Sequence, residues 1–399
     1  MPVDFSSVDN SDFDDGSIGS LIPINGIDPR FGEFDAFAYL PHPLPTDDEI
    51  TLNNRAWAAV SKAEEMLGRL DQECGHMTNA SLLIRPALLR EAMDTSALEG
   101  TFGVLTDILE AQYPDSGPLS PETREIRAFE AAAMHAFEEV KLRPISVGLL
   151  CGIQAEIFKD SDEQPRDIGE IRKHQVFIGP KHRPITEARF IPPPGDDRLK
   201  SGLETLIDWT QSESGLPLVL RVTLAHYQFE TLHPFGDGNG RVGRLLVILQ
   251  LMEGKSIREP AITLSPWLLP RRNQYQDELL NVSRTGDWSP WVIFFCEAIS
   301  HQCQSLIDGA RNLTDWKTRT YETVRRNHWS GLILQVVDDL AEWPLVTIPG
   351  IAEKHHVTYP AAKSAVERLV TIGSIREITL RKYNRVFVAD EVIAIVEAI

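Results

Sequence analysis

The sequence predicts a mainly α-helical protein with one small β-hairpin, followed by a C-terminal module of different character. Apolar residues recur at helical spacing from Asp47 to Asp71 and through most of residues 121–310, as expected for helices that bury one face. Between Gly169 and Gly195, two short β-prone segments flank a turn rich in Gly and Pro, which is typical of a hairpin. From about Ser330 the pattern changes to three helices and two strands. We therefore divide the chain into an acidic flexible tail (1–36), an N-terminal helical region with the second helix described below (37–114), a helical core (115–310), a linker helix (311–329) and the C-terminal module (330–399).

Composition excludes several classes of protein. The chain has 399 residues and a formal net charge of −19, so the molecule as a whole is not attracted to nucleic-acid phosphates or to an acidic membrane surface, although a local basic patch is compatible with that total. No stretch reaches the roughly 18 to 20 apolar residues of a membrane span, and the acidic N-terminus lacks the basic and apolar regions of a secretory signal. The four cysteines form no CxxC pair and no zinc-finger spacing. We expect a cytoplasmic protein without membrane contact.

The N-terminal region predicts a loose tail and three helices. Residues 1–36 hold aspartates among Ser, Gly and Pro. Such a segment buries too little surface to offset its ordering entropy, so we expect a tail that is loose or weakly docked. Gly100 is a helix stop signal. The predicted helices are Asp47–Asp71, Pro86–Leu98 and Val104–Ala111.

The core is predicted as a set of helices around the hairpin. The two hairpin segments are Val176–Ile178 and Arg189–Ile191. Pro217 suits the first position of a helix, where its missing N–H is not needed. The predicted core helices are 121–140, 146–159, 198–213, 217–232, 241–253, 270–284 and 288–309.

The segment HPFGDGNGRVGR, residues 233–244, carries the strongest chemical signal. It lies between two strongly apolar stretches, Leu218–Leu232 and Leu245–Met252, which predict buried helices and therefore a loop anchored on rigid elements. Gly238 and Gly240, with Asn239 between them, tolerate positive φ, so successive N–H groups can converge into an anion-binding nest. The nest opens into a helix N-terminus, where free amides and the helix dipole favour phosphate.

The charged residues of this segment complete a phosphate-transfer site. Asp237 can hold Mg²⁺ through one carboxylate, as magnesium–nucleotide sites usually do. Arg241 and Arg244 are three residues apart and lie on one side of the first helical turn, where both can donate forked hydrogen bonds to phosphate oxygens. His233 is a candidate general base because its ordinary pKa is near neutrality. The alternative is a Gly-rich helix connector whose charged residues have no function. The presence of a base, a metal ligand, an anion nest and two arginines within twelve residues argues against it.

This segment resembles the signature of the Fic family, HPFxDGNGRxxR, and every specified position matches. The resemblance covers roughly residues 86–300. It implies an enzyme that transfers AMP from ATP to a Ser, Thr or Tyr hydroxyl of a target protein, with His233 as the base and Asp237 as the ligand of Mg²⁺. It also implies a homodimer as one arrangement, since family members often pair. The residues that it assigns to the nucleotide phosphates are Gly238, Asn239, Gly240, Arg241, Val242, Gly243 and Arg244.

The resemblance extends to two outlying segments. The predicted hairpin corresponds to the family's flap (residues 175–191), whose edge can capture an extended target segment by strand addition, and an ordinary surface hairpin is the alternative. Phe177, Ile178 and Gly179 would then lie near the nucleotide. The stretches Leu264–Pro266 and Asn273–Tyr275 resemble the lining of the adenine pocket, with Asn273 and Tyr275 as nucleotide-binding residues. Many relatives have two adjacent tyrosines there, whereas Gln276 follows Tyr275 here, and a plain amphipathic helix is the alternative.

Glu99 is a candidate inhibitory residue. It falls in the last turn of a predicted helix, where a carboxylate opposes the helix dipole by a few tenths of a kcal/mol to about 1 kcal/mol. A solvated glutamate that tolerates this penalty is the simple alternative. The segment Thr95–Gly100, however, resembles the family's inhibitory pattern [S/T]xxxE[G/N]. This resemblance implies a salt bridge from Glu99 to Arg244, which prevents the γ-phosphate from being seated.

The C-terminal module is predicted to be a winged helix. Its helices are Leu332–Glu342, Pro349–Lys354 and Tyr359–Ile372, and its strands Ile375–Leu380 and Arg385–Val388 flank a polar turn. Such modules often bind DNA through the third helix, but here Lys363 and Arg368 are balanced by Glu367. DNA binding and protein contact both remain open. The function hypotheses are adenylyl transfer to protein, removal of AMP from a modified protein, and a nucleotide-sensing DNA-binding regulator.

Overall fold

The computed structural model describes residues 13, 17–28, 30–77, 79–111, 118–162, 164–179, 182–379 and 385–399. It confirms the mainly α-helical fold with little β-structure. The helices are α1 (Asn54–His76), α2 (Ser81–Glu99), α3 (Leu105–Glu110), α4 (Pro121–Leu142), α5 (Val147–Ile157), α6 (Asp197–Gln211), α7 (Leu218–Leu232), α8 (Asn239–Glu253), α9 (Ser265–Leu268), α10 (Arg272–Thr285), α11 (Trp288–Arg326), α12 (Leu332–Glu342), α13 (Ile348–Lys354), α14 (Tyr359–Thr371) and α15 (Asp390–Ala398). The strands are β1 (Gly19–Asp28), β2 (Gly32–Pro41), β3 (Leu345–Thr347), β4 (Arg376–Glu377) and β5 (Val386–Val388).

Helices α7 and α8 form the centre of the body. Both are buried on nearly all sides, as their uninterrupted apolar sequences predict, and they pack against each other with α4, α5, α6 and α11 around them. The loop between them, residues 233–238, is therefore held between two fixed ends. Among the residues that the structure describes, none of the helices is both long and apolar enough to cross a bilayer.

The prediction of a loose tail is wrong for residues 19–36. Strands β1 and β2 form an antiparallel hairpin in which Gly19 pairs with Pro41 and Asp28 with Gly32. In β2, residues 34, 36 and 38 face inward while residues 33, 35 and 37 face solvent. The inward side packs on residues 185–191, and this tertiary contact is the reason that the hairpin is ordered. Residues 1–12 and 14–16 of the predicted tail lie outside the described part of the chain.

Helix α2 begins at Ser81 rather than at the predicted Pro86, which lies inside it. A proline there removes one helical hydrogen bond, but Leu82 and Leu83 in the preceding turn are buried, and this burial keeps the turn helical. The helix is embedded in the core: its polar residues Glu91 and Thr95 are buried as well, and it packs against α4, α8, α9, α11, α12 and α15. The end of α2 is therefore firmly positioned.

The predicted separation of the core helix 288–309 from a linker helix 311–329 is also wrong. Helix α11 runs without a break from Trp288 to Arg326. Leu306, Ala310 and Leu313 are buried across the expected boundary, so the apolar face is continuous and one helix serves both the body and the C-terminal module.

The C-terminal module has the three predicted helices, α12, α13 and α14, and a three-stranded antiparallel sheet in the order β3-β5-β4. Strand β3 and the terminal helix α15 were not predicted. The strands predicted over 375–380 and 385–388 are shorter in the structure, and the residues of the predicted turn, 382–384, lie outside the described ranges. The winged-helix assignment stays a prediction. The module contacts the body directly, since Trp343 Nε1 donates to the carbonyl of Leu109 at 3.2 Å.

Candidate active site

A cavity of about 460 Å³ lies at the N-terminus of α8. Its walls come from the end of α2, the α7–α8 loop, the flap and α10. The sequence-predicted residues that line it are Glu99, Phe177, Ile178, Gly179, His233, Asp237, Gly240, Arg241, Arg244 and Tyr275. The chemistry-bearing residues of the signature are thus assembled around one space.

The backbone of the α7–α8 loop leaves amides free at the cavity. Asn239 locks the loop from within: its Oδ1 accepts from the Phe235 amide and its Nδ2 donates to the Phe235 carbonyl, both at 2.8 Å. Gly238 has φ 84°, a left-handed value that favours glycine. The first helical hydrogen bond of α8 runs from Val242 N to Gly238 O at 3.0 Å, so the amides of residues 239–241 precede it and are available to an anion. Asn239 therefore shapes the site, while Val242 and Gly243 lie buried in the helix behind it.

His233 ends α7 in a left-handed conformation with φ 49°. Its Nδ1 lies 3.3 Å from the Glu230 carbonyl. We assign the proton to Nδ1, because a carbonyl can only accept, and this leaves the Nε2 lone pair as the basic site. Burial, together with the Arg172 guanidinium, lowers the pKa of His233 to about 4. The imidazole is therefore neutral near pH 7 and able to accept a proton.

Arg172 is a site residue that the sequence did not reveal. It is 1% exposed, and its guanidinium donates to the carbonyls of His233 at 2.8 Å, His174 at 2.9 Å and Pro193 at 2.7 Å. Its own amide donates to Pro234 O at 2.9 Å. One buried side chain thus joins the α7–α8 loop to both ends of the flap.

Asp237 is the exposed carboxylate of the loop. Its Oδ1 accepts from the Gly238 amide at 2.6 Å, and its side chain is 58% exposed. Within the described residues, no group of three or more His, Cys, Asp or Glu side chains could form a metal cage. Mg²⁺ usually takes one or two carboxylates and completes its shell with phosphate and water. Asp237 has the chemistry and the access for that role.

Arg241 is held by a carboxylate that was not predicted. Its Nη1 donates to Glu125 Oε1 at 2.6 Å, and the other oxygen of Glu125 accepts from Thr101 Oγ1 at 3.0 Å. The guanidinium also lies over the Phe158 ring, 4.6 Å from its centroid. Glu125 lies on α4, far from the signature in sequence, so only the fold brings it to the site.

The ion pair between Glu99 and Arg244 is present. Arg244 Nη2 donates to Glu99 Oε1 at 2.7 Å, and its Nε donates to Thr95 Oγ1 at 2.7 Å. A Cβ added at Gly240 would collide with both Glu99 Oε1 and the Arg244 guanidinium. The carboxylate therefore lies over the first turn of α8. Burial alone would raise the pKa of Glu99, but the Arg244 charge outweighs it and holds the pKa below its usual range.

Glu230 is a further carboxylate that lines the cavity, and it was also missed. Its Oε1 is buried without a hydrogen-bond partner among the described residues, and it faces Gly243, where an added Cβ would collide with it. Burial raises the pKa of Glu230 to about 7, against the opposing effect of the Arg244 guanidinium. A carboxylate near the end of a helix that is buried on nearly all sides was the signal that could have revealed it.

The flap is less regular than the predicted hairpin. A single antiparallel bridge joins Ile178 to Phe190, with Ile178 N donating to Phe190 O at 2.8 Å and Phe190 N to Ile178 O at 3.1 Å. Regular strands do not continue because prolines at 192–194 lack the amides that a ladder requires. Residues 180 and 181 lie outside the described chain. Phe177, Ile178 and Gly179 nevertheless line the cavity as predicted.

The two segments assigned to the adenine pocket differ in position. Tyr275 is buried, lines the cavity and shares a 2.8 Å hydrogen bond with His226 Nε2. Asn273 is exposed in the first turn of α10 and does not line the cavity. Leu264 and Ser265 are buried in the core, where their amides donate to Glu91 at 2.8 and 2.9 Å. The structure therefore brings only Tyr275 of this set to the site.

Comparisons with known proteins agree with this geometry. The model of the Fic/DOC family matches residues 144–251, and that of the Fic/DOC family N-terminal region matches residues 57–138. The chain contains a Fic/DOC domain. The two matched ranges contain all the residues of the signature loop, Arg172 and the Glu99–Arg244 pair.

Curated relatives of this Fic chain are named protein adenylyltransferases. Protein adenylyltransferase fic-1 of Caenorhabditis elegans is 27% identical over 306 residues, which are 70% of this chain and 54% of the relative. Protein adenylyltransferase Fic of Drosophila yakuba is 27% identical over 255 residues, 62% of this chain and 47% of the relative. The chain thus spans about half the length of these relatives.

A solved structure shares the fold. A Fic family protein from Desulfovibrio desulfuricans superposes with a TM-score of 0.55 and 19% identity, over 85% of this chain and 97% of that one. The high coverage of both chains includes segments on either side of the Fic core.

Proposed function

We propose that this Fic protein transfers AMP from ATP to a Ser, Thr or Tyr hydroxyl of a target protein, its own chain included. The observation that carries the proposal is the cavity in which His233, Asp237 and Arg244 meet the free amides of α8. A neutral base, a carboxylate for Mg²⁺ and an anion site are the three parts that phosphoryl transfer requires. The names of the curated relatives support the same activity.

In the proposed reaction, the target hydroxyl oxygen attacks the α-phosphorus of ATP and forms a new P–O bond. The bond from that phosphorus to the bridging oxygen breaks, and pyrophosphate leaves with its electron pair. His233 Nε2 takes the hydroxyl proton, for which its neutral state is suited. Mg²⁺ bound by Asp237 would neutralise charge on the phosphates. Arg241 and the α8 amides hold the phosphate oxygens.

We also propose that Glu99 restrains this reaction. Its carboxylate occupies the Arg244 fork and lies over Gly240, which is the position that a phosphate at the α8 N-terminus would take. A γ-phosphate must displace it before ATP binds in a reactive pose. Glu99 and His233 face the same cavity, so the same carboxylate could also position a water molecule against an adenylylated hydroxyl. Removal of AMP is therefore the second candidate function.

The reading as a DNA-binding regulator has less support. In the described part of the C-terminal module, the Nζ atom of Lys363 lies 3.6 Å from Oε1 of Glu367. The Nε atom of Arg376 lies 2.6 Å from Oδ2 of Asp390. Arg385 is likewise paired with Glu377, at 2.6 Å. Each of these three positive charges lies beside a negative one, so the pairs create no net positive field that would attract a nucleic-acid backbone. We propose that this module contacts protein.

The test is self-labelling with α-³²P-ATP and Mg²⁺, compared among the parent protein, Glu99→Gly, Glu99→Gln and the double variant Glu99→Gly/His233→Ala. We expect Glu99→Gly to increase protein-bound label at least roughly tenfold, the equivalent of about 1.4 kcal/mol. Glu99→Gln retains the side chain without its charge and should fall between parent and Gly. The double variant should be unlabelled. Equal labelling of parent and Glu99→Gly would refute the restraint, and undiminished labelling of the double variant would refute His233 as the base. Release of AMP from protein labelled by Glu99→Gly, on mixing with the parent, would favour the second function.

A further inference from the structure

The hairpin formed by β1 and β2 (residues 19–41), called the N-terminal hairpin below, continues the flap. Tyr39 N donates to Ile191 O at 2.8 Å, next to the bridge between Phe190 and Ile178. The backbone segments therefore lie side by side in the order β1, β2, 190–191 and 177–179. The hairpin covers the outer edge of the flap's second segment.

Only the inner edge of the flap is left for a further strand. Ile178 uses its N–H and its C=O on Phe190 and Arg189. In an antiparallel pair, the backbone groups of the two flanking residues point to the opposite side, so those of Phe177 and Gly179 face away from Phe190. Both residues line the cavity. The hairpin thus covers one side of the flap while the side at the cavity stays open.

Side chains of the hairpin complete a small core beneath the flap. Ala38 of β2 is buried with Ile185, Ala188 and Ile191, and Phe177 packs against this group. The cluster is separate from the main core of the body. Because the three members from the flap, Ile185, Ala188 and Ile191, bury too little apolar surface to order a loop alone, the flap depends on β2 for part of its apolar contact.

Tyr39 connects the flap to the opposite wall of the cavity. The side chain is 1% exposed; its ring lies 5.7 Å from that of Phe190, and its hydroxyl donates to Ser283 O on α10 at 3.1 Å. Phe190 and Ser283 both line the cavity. A Cβ at Gly19 would collide with the Tyr39 ring, so the hairpin itself is shaped around this side chain.

We propose that the N-terminal hairpin positions the flap for target recognition, with Tyr39 as the positioning residue that holds the edge at 177–179 in line for an extended segment of the target protein. The inference rests on the proposed function, in which the flap receives that segment. An unsupported flap would have to be ordered during binding, at about 1–2 kcal/mol per residue of backbone entropy. Because the hairpin already orders the flap in the free protein, this backbone entropy is not lost when the target binds.

The test combines hydrogen–deuterium exchange with product analysis, in the Glu99→Gly background. We expect Tyr39→Ala to raise the exchange rates of the Ile178 and Phe190 amides at least roughly tenfold, with amides of α8 unchanged as the measure of intact folding. Tyr39→Phe loses only the hydroxyl contact and should show a smaller increase. Ile27→Ala, at an exposed position of the hairpin tip that is 74% exposed, is the matched control and should change nothing.

The chemical readout separates the two acceptors of the adenylyl group. With α-³²P-ATP, label on protein requires the flap edge, whereas label released as free AMP requires only water. Tyr39→Ala should lower the ratio of protein-bound to free label at least roughly tenfold. Unchanged exchange at Ile178 and Phe190, or an unchanged ratio, would overturn the inference and leave the proposed function intact. If Glu99→Gly transfers no label at all, the proposed function fails, and the exchange rates alone then decide whether the hairpin orders the flap.

Discussion

Replacing Arg172 should uncouple the catalytic loop from the flap. The side chain gives three hydrogen bonds of 2.7 to 2.9 Å to buried carbonyls, and removal of such a donor leaves each acceptor unsatisfied at about 1 kcal/mol or more. The buried charge of Arg172 has the opposite effect on the free energy of unfolding. Burial lowers the pKa of Arg172 to about 10, and a neutral side chain in its place avoids the cost of burying a charge. We expect Arg172→Met to lower the free energy of unfolding by about 2–4 kcal/mol.

The catalytic consequence follows from the conformation of His233. A non-glycine residue in the left-handed region is strained by about 1–2 kcal/mol, and the bond from Arg172 to its carbonyl is one of the contacts that hold it there. Arg172 also contributes to the low pKa of His233. In the Glu99→Gly background, Arg172→Met should therefore reduce labelling at least tenfold. The acid limb of its pH–rate profile should move to higher pH, because removal of the Arg172 charge raises the pKa of His233.

Urea denaturation and the pH profile of self-labelling are the assays, and Arg172→Lys is the matched variant. Lysine keeps the charge but not the planar fork that reaches several carbonyls at once. We expect it to behave no better than methionine. Parent-like stability and labelling in Arg172→Lys would show that charge alone matters and would refute the argument from hydrogen-bond geometry.

Two further predictions concern buried carboxylates. Burial raises the pKa of Glu230 to about 7, so its contribution to stability is present below pH 4.5 and is lost as pH rises through 7. Glu230→Gln should match the parent near pH 5 and exceed it by about 2 kcal/mol at pH 8 in urea denaturation, whereas an equal difference at both values would contradict the assigned burial. Glu91 accepts from two backbone amides and the Ser265 hydroxyl at 2.5 to 2.9 Å. Glu91→Ala should lower the free energy of unfolding by about 3 kcal/mol, and a loss below 1 kcal/mol would show that these groups find other partners.

The signature loop was predictable because its chemistry is contiguous. Gly238, Asn239 and Gly240 specify the turn, and the apolar runs on both sides specify buried helices. Helix α7 was expected over 217–232 and spans Leu218–Leu232; α8 was expected over 241–253 and spans Asn239–Glu253. Local sequence thus determines both the backbone and the charged groups of this part of the site.

The supporting residues were not predictable in the same way. Glu125 and Arg172 act on partners 116 and 61 residues away, and nothing in their own neighbourhoods marks them. The hairpin at 19–41 did have a local signal in the alternation of Phe34, Ala36 and Ala38. Acidic composition concealed it, because the apolar partner that stabilises these strands lies in the flap. The helix start predicted at Pro86 was wrong for a similar reason, because the burial of the preceding turn cannot be recognised in the sequence.

The packing of α2 within the core limits how the proposed restraint by Glu99 could be released. The helix carries Glu99 at its end but contacts six other helices, so it cannot swing outward without opening the core. Release would therefore consist of rotations about the bonds of one side chain rather than of a domain motion. Such a transition leaves the molecular envelope unchanged. Scattering and sedimentation would detect no difference between the two positions of the Glu99 side chain, whereas a spectroscopic probe at the carboxylate would.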